Sequence, residues 1–145
     1  MYERAVEATQ RGDVHGRVDH ESLGSSLHQV GYCLSSIGQF EQARPWYERA
    51  VEATQQGDVH GRVDHQSLGK SLHYVGYCLS STGQFEQALP WFERAIEAKR
   101  KGDLFSRIDR PSLALSLREG ARCLRELGQV EKAETREAKA SELES

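Results

Sequence analysis

His28 and Cys33 recur as His73 and Cys78, the residue types from which a nucleophile and its base are made. Five residues along a helix turn through about 140°, at roughly 100° per residue, so within one copy imidazole and thiol point apart. A second set, Asp13, His15, Asp19 and His20, recurs as Asp58, His60, Asp64 and His65, and these are metal-ligating types. In a third copy both histidines are replaced, by Phe105 and Arg110, while Gly102, Asp103, Arg107 and Asp109 persist. What persists is turn and helix-cap chemistry, with a salt bridge from Arg17 to Asp13 or Asp58 as the expected use of the charges. Cys33, Cys78 and Cys123 stand one to a repeat and lack a C-x-x-C pairing. Their Cα atoms should lie farther apart than the roughly 4.4 to 6.8 Å a disulfide spans, so they are expected as small buried hydrophobes. P-loop, G-x-S-x-G and H-E-x-x-H signatures are missing. The chain is therefore expected not to be an enzyme and to hold neither metal nor cofactor.

These residues sit in a duplication. Residues 2–46 and 47–91 are identical at 39 of 45 positions, and a looser copy from Phe92 to Arg136 keeps 19 of the 45. A period of this length marks a stacked-repeat architecture, in which each unit closes its core only against its neighbours. Leu23, Leu27, Val30, Leu34 and Ile37 follow the three-and-four spacing of one helical face, with Asp19, Asp64 and Asp109 as N-caps. Gly38, Gly83 and Gly128 are placed to end these helices in the left-handed conformation. A second helix from about Gln39 carries Phe40, Ala43, Trp46, Tyr47, Ala50 and Val51, and stops at Gly57. Pro45 and Pro90 fall inside it and should bend it, and the pairs Trp46-Tyr47 and Trp91-Phe92 should pack between neighbouring hairpins. The expected division is a half-repeat helix over 1–11 and hairpins over 19–57, 64–102 and 109–144. The last reads as a cap, because Arg136 and Glu137 replace aromatics there. The lone first helix, uncovered on one side, suggests an excerpt of a longer array or one end of a self-associating one.

Composition fits a helical array. A formal charge of −3 and a pI near 6.1 give no electrostatic reason to expect nucleic acid or an anionic membrane as partner. No apolar run approaches the roughly 20 residues of a membrane span, and the charged opening MYERAVEATQR does not read as a signal peptide. A reducing, cytoplasmic setting is expected.

The run Val30-Gly31, Leu34, Gly38, Phe40, Ala43, Tyr47 and Ala50 resembles the tetratricopeptide repeat, and Val75-Gly76, Leu79, Gly83, Phe85, Ala88, Phe92 and Ala95 match it again in register. The period of 45 instead of about 34 is similar to the kinesin-light-chain-like branch of that family. The third copy departs, with Gly120-Ala121, Val130 and Glu137 at the corresponding places. The resemblance implies an all-α fold, a right-handed superhelical α-solenoid of antiparallel helix hairpins with about seven helices. It also implies a protein or peptide ligand held in a concave groove lined by the first helix of each hairpin.

Carried over residue by residue, the groove positions are Ser25, His28, Gln29, Tyr32, Ser35 and Ser36 in the first copy. The second copy supplies Lys70, His73, Tyr74, Tyr77, Ser80 and Ser81, and the third Leu115, Arg118, Glu119, Arg122, Arg125 and Glu126. Three of the six differences between the near-identical copies, 21/66, 25/70 and 29/74, are spaced by four and so lie along one stripe of that helix. Histidines, tyrosines and arginines in such a groove suit an extended peptide with acidic groups. The expectation is a binding scaffold within a larger signalling or assembly protein. The alternative is a structural module forming homo-oligomers by end-to-end stacking or helix exchange through the uncapped N-terminal helix.

Overall fold

The computed structural model describes Val6 and residues 19–145 of the chain. Among these residues there are six helices: α1 His20–Ser36, α2 Phe40–Gln56, α3 His65–Ser81, α4 Phe85–Lys101, α5 Arg110–Glu126 and α6 Val130–Glu144. The fold is all-α. Consecutive helices pair as antiparallel hairpins, α2 packs on α3 and α4 on α5, and the first helices α1, α3 and α5 also touch in sequence. The expected first helix, Tyr2 to Arg11, lies outside the described residues except for Val6. Val6 is helical and buried against Leu23, Leu27 and Val30. Residues 12 to 18, with the expected Asp13–Arg17 pairing, also lie outside. No described helix is long and apolar enough to cross a membrane.

Local chemistry fixes the helix ends. Asp19, Asp64 and Asp109 each accept the backbone N–H three residues on, at 3.1 Å, which satisfies one of the orphan donors of a helix start. At the far ends Gly38, Gly83 and Gly128 adopt φ of +81°, +78° and +79°. Their amides bond Ser35, Ser80 and Arg125, and the following glutamines bond Leu34, Leu79 and Leu124, the paired closure of a Schellman motif. Ile37 departs from expectation. It is the C-cap of α1, one residue past the helix, and is 68% exposed instead of continuing the apolar stripe. The second helices continue through Pro45 and Pro90 as single elements.

Burial organises each hairpin around one aromatic. Tyr47 and Phe92 are fully buried. A Cβ built on Gly31 would lie 2.9 Å from the Tyr47 ring, and one on Gly76 would lie 3.0 Å from the Phe92 ring. Glycine at that place is what lets the ring seat between the two helices of a hairpin. Tyr47 also reaches the next hairpin, stacking on Tyr74 at 5.2 Å with planes 19° apart. Trp46 and Trp91 are only half-buried, and Arg49 and Arg94 lie over their rings at 4.9 and 4.8 Å. In the third hairpin Glu137 takes the aromatic's place and Ala121 that of the glycine, so a methyl group appears where no ring needs the space.

The cysteines divide. Cys78 and Cys123 are buried, and burial pushes their thiols up to about 12 and about 11. Cys33, at the same register on α1, is exposed, against expectation. A thiol reagent applied to the native protein at neutral pH should therefore titrate Cys33 promptly, and Cys78 and Cys123 only after unfolding. Prompt reaction of two or three thiols would contradict this packing.

Candidate peptide-binding groove

The first helices α1, α3 and α5 bring most of the expected groove positions onto one surface, at very different depths. Ser25, Gln29, Tyr32, Lys70, Tyr77, Leu115, Arg118, Arg122 and Arg125 are exposed, while Tyr74 is half-buried on Tyr47. Tyr32 and Tyr77 stand 49% and 36% exposed, flanking Tyr74 with edge-to-face ring spacings of 6.2 and 6.0 Å. Tyr77 rests against Phe40 of the preceding hairpin at 5.6 Å, and its counterpart Arg122 lies over Phe85 at 5.9 Å. Tyr32, Tyr74 and Tyr77, with Ser35, Ser36, His73, Leu115 and Glu119, border a hollow of about 300 Å³.

The expected histidines lie below this surface. His73 is 5% exposed, with Nδ1 2.9 Å from Ser116 Oγ on α5. His28 repeats the arrangement, largely buried and 3.1 Å from Ser71 Oγ on α3. Each imidazole thus ties one first helix to the next. Ser35 is also buried, bonded to the Tyr47 hydroxyl at 2.8 Å, and Ser80 is buried beside Phe92's hairpin core.

The tetratricopeptide repeat family model matches residues 24–56 and 70–101. The two matched hairpins, α1–α2 and α3–α4, are tetratricopeptide repeats. No curated protein matches the chain. Among solved structures it is similar to BtubC (BKLC) from P. vanneervenii, with a TM-score of 0.77 at 18% identity, covering 99% of this chain and 54% of that one. It is also similar to a putative kinesin light chain of nearly identical TPR-like repeats from Podosopora anserina, with a TM-score of 0.70 at 22% identity over 96% of this chain and 62% of that one. The N-terminal domain of stress-induced protein-1 from C. elegans gives a TM-score of 0.63 at 14% identity, over 87% and 98% of the two chains. The chain thus spans about half the length of BtubC.

Lys99 is a residue of the tetratricopeptide array that pattern reading missed. It is 2% exposed, and its Nζ donates to the Ser112 carbonyl at 3.0 Å and to Ser116 Oγ at 2.7 Å. With the lysine donating, the Ser116 proton is free to go to His73 Nδ1, which makes the ring a neutral acceptor. Burial, reinforced by the ammonium of Lys99, holds His73 down to about 3, and burial with Lys70 nearby holds His28 at about 4. Burial likewise lowers Lys99 to about 8. Only the identity of Ser26, Ser71 and Ser116 across the three copies hinted at this network.

The arginines expected as ligand donors are engaged within the third repeat. Arg118 donates to Glu144 through both terminal guanidinium nitrogens, Nη2 at 2.8 Å, and Arg125 Nε donates to Glu137 at 3.2 Å. Arg122 keeps a longer ion pair to Glu119 at 3.8 Å. The loop carboxylates are likewise occupied. Asp58 accepts from the amides of His60 and Arg62 and from Arg62 Nε, and Asp103 repeats this with Phe105 and Arg107. The arginine pairs with the aspartate of its own loop, and among the described residues no three potential ligands converge on a metal position.

The neutral histidines give the array a pH dependence. Their pKa values in the fold lie below the ordinary 6.5, so below pH 6.5 the unfolded chain binds protons that the folded chain refuses. Stability is full above pH 6.5 and falls as pH drops toward about 4 for His28 and about 3 for His73. Denaturant unfolding at pH 7 and pH 5 should differ by about 1–2 kcal/mol per histidine. A His28→Asn/His73→Asn variant should lose most of that difference, and an undiminished slope would refute the assignment.

Proposed function

We propose that the array is a non-catalytic scaffold that binds an extended segment of a partner protein along the surface of α1, α3 and α5. The observation that carries this reading is the aromatic stripe of Tyr32, Tyr74 and Tyr77, apolar ring surface left open on rigid, mutually packed helices. Tyrosines so placed offer large contact area at low entropic cost, and such residues dominate binding energy at protein interfaces. One of the similar solved structures is described as a type III secretion translocator chaperone, SycD from Yersinia enterocolitica, which supports a protein as the kind of partner. The buried thiols of Cys78 and Cys123 stay protonated at neutral pH and the two histidines sit in structural bonds, which supports a role without chemistry.

An acidic ligand loses most of its basis. Arg118 and Arg125 are held by Glu144 and Glu137 and both histidines are neutral, which leaves Lys70 and Arg122 as the positive groups of the groove. Peptides selected from a random display library on the full chain should compete for one site. Tyr32→Ala, Tyr77→Ala and Arg122→Ala together should weaken them at least about thirtyfold, the loss of one interface hot spot or more, with helicity unchanged. Undiminished affinity in the triple variant would reject the groove.

A further inference from the structure

The first and second hairpins differ at the foot of the groove. In the second, the Lys99 ammonium fills the space between α3 and α5, held by the Ser112 carbonyl and Ser116 Oγ. In the first, the residue at the same register is Thr54. Thr54 and Lys99 press on equivalent glycines, their side chains 2.3 and 2.6 Å from a Cβ built on Gly24 and Gly69. Threonine is too short to fill the space, and a hollow of about 260 Å³ remains between α1 and α3. Ser67 and Ser71, the register partners of Ser112 and Ser116, line it.

The hollow also has a feature the filled copy lacks. Glu21 borders it, where the second repeat has Gln66. Its Oε2 is buried without a partner among the described residues, as is Gln66 Oε1 in the second hairpin, so what distinguishes the hollow is the negative charge of the carboxylate. Burial raises the Glu21 pKa, and the charges of Asp64, Asp19 and Asp58 raise it further, so the end of the hollow at Glu21 is negative and favours a cation. Lys70 stands on the rim, exposed.

We propose that this hollow takes a primary ammonium group, such as a lysine side chain of a bound peptide, with Glu21 and Ser71 receiving it as Ser112 and Ser116 receive Lys99. It opens beside Ser25 and Gln29, and Tyr32 lies about 10 Å further along α1 at 1.5 Å per residue, so one extended segment reaches both features. The inference rests on the groove reading and adds a lysine to its ligand. Since a single-residue probe does not span to the tyrosines, its failure would leave the groove to the peptide experiment above.

The probe is Nα-acetyl-lysine amide, titrated into the ¹⁵N-labelled full chain at pH 7.5 and followed by amide shifts. Saturable shifts on the order of millimolar affinity are expected around Glu21, Gln29 and Ser71, and none with the Nε-acetylated form. Glu21→Gln, the residue of the second copy, weakens binding about tenfold, the scale of one charge-assisted hydrogen bond. Thr54→Lys supplies the ammonium from within and abolishes binding with the fold intact, while Lys70→Ser, as at Ser25, strengthens it. Both Glu21→Gln and Thr54→Lys reproduce residues the next repeat already accommodates. The proposal is overturned if the charged probe gives no saturable shift, if both probe forms bind alike, if Thr54→Lys leaves binding unchanged, or if Lys70→Ser weakens it.

Discussion

A single buried ring in each of the first two hairpins sets the spacing of the array. Tyr47 and Phe92 each lie on a glycine of the first helix, close enough that a methyl group there would collide with the ring. The same residues meet the neighbouring structure: Tyr47 stacks on Tyr74 of the next hairpin, and Phe92 Cβ lies 3.8 Å from where a Cβ on Gly120 would stand. Intra-hairpin and inter-hairpin packing are therefore one contact. Because protein interiors are close-packed, that contact fixes how far apart α1, α3 and α5 stand, and so the width of the surface they present.

Secondary bonds lock the register that the rings allow. His28 to Ser71 and His73 to Ser116 join successive first helices at the same height, and Lys99 completes the second of these links. In the third hairpin the buried couples become surface ion pairs at the same positions. Ser35 with Tyr47 corresponds to Arg125 with Glu137, and Arg118 with Glu144 stands at the register positions of His28 and Thr54. Exposed pairs of this kind contribute little stability and leave charged groups toward water.

Much of this was legible in the sequence. The period, the aspartate caps, the closing glycines and, in the first two copies, the aromatic-glycine signature pointed to an all-α array of helix hairpins, because each is a local consequence of backbone geometry or helical spacing. The depth of individual side chains was not legible. Helical angle placed His28 and His73 on the same side as Tyr32, yet the neighbouring helix approaches near their height and buries them, whereas Tyr32 stays open. Partner choice was equally hidden: Arg118 and Arg125 looked available because Glu144 and Glu137, on the antiparallel return helix, are distant in sequence. Lys99 was passed over because charged residues near a helix end are usually solvated, and only its place over Gly69 takes it inside.

A double-mutant cycle on Gly76 and Phe92 tests the ring-on-glycine contact most directly. Gly76→Ala alone should cost about 1–3 kcal/mol in denaturant unfolding, as overpacking against a ring that cannot retreat. In a Phe92→Ala background the same change should be neutral or stabilising by up to about 1 kcal/mol, since alanine is then simply the better helix former. An equal cost in both backgrounds would contradict the account.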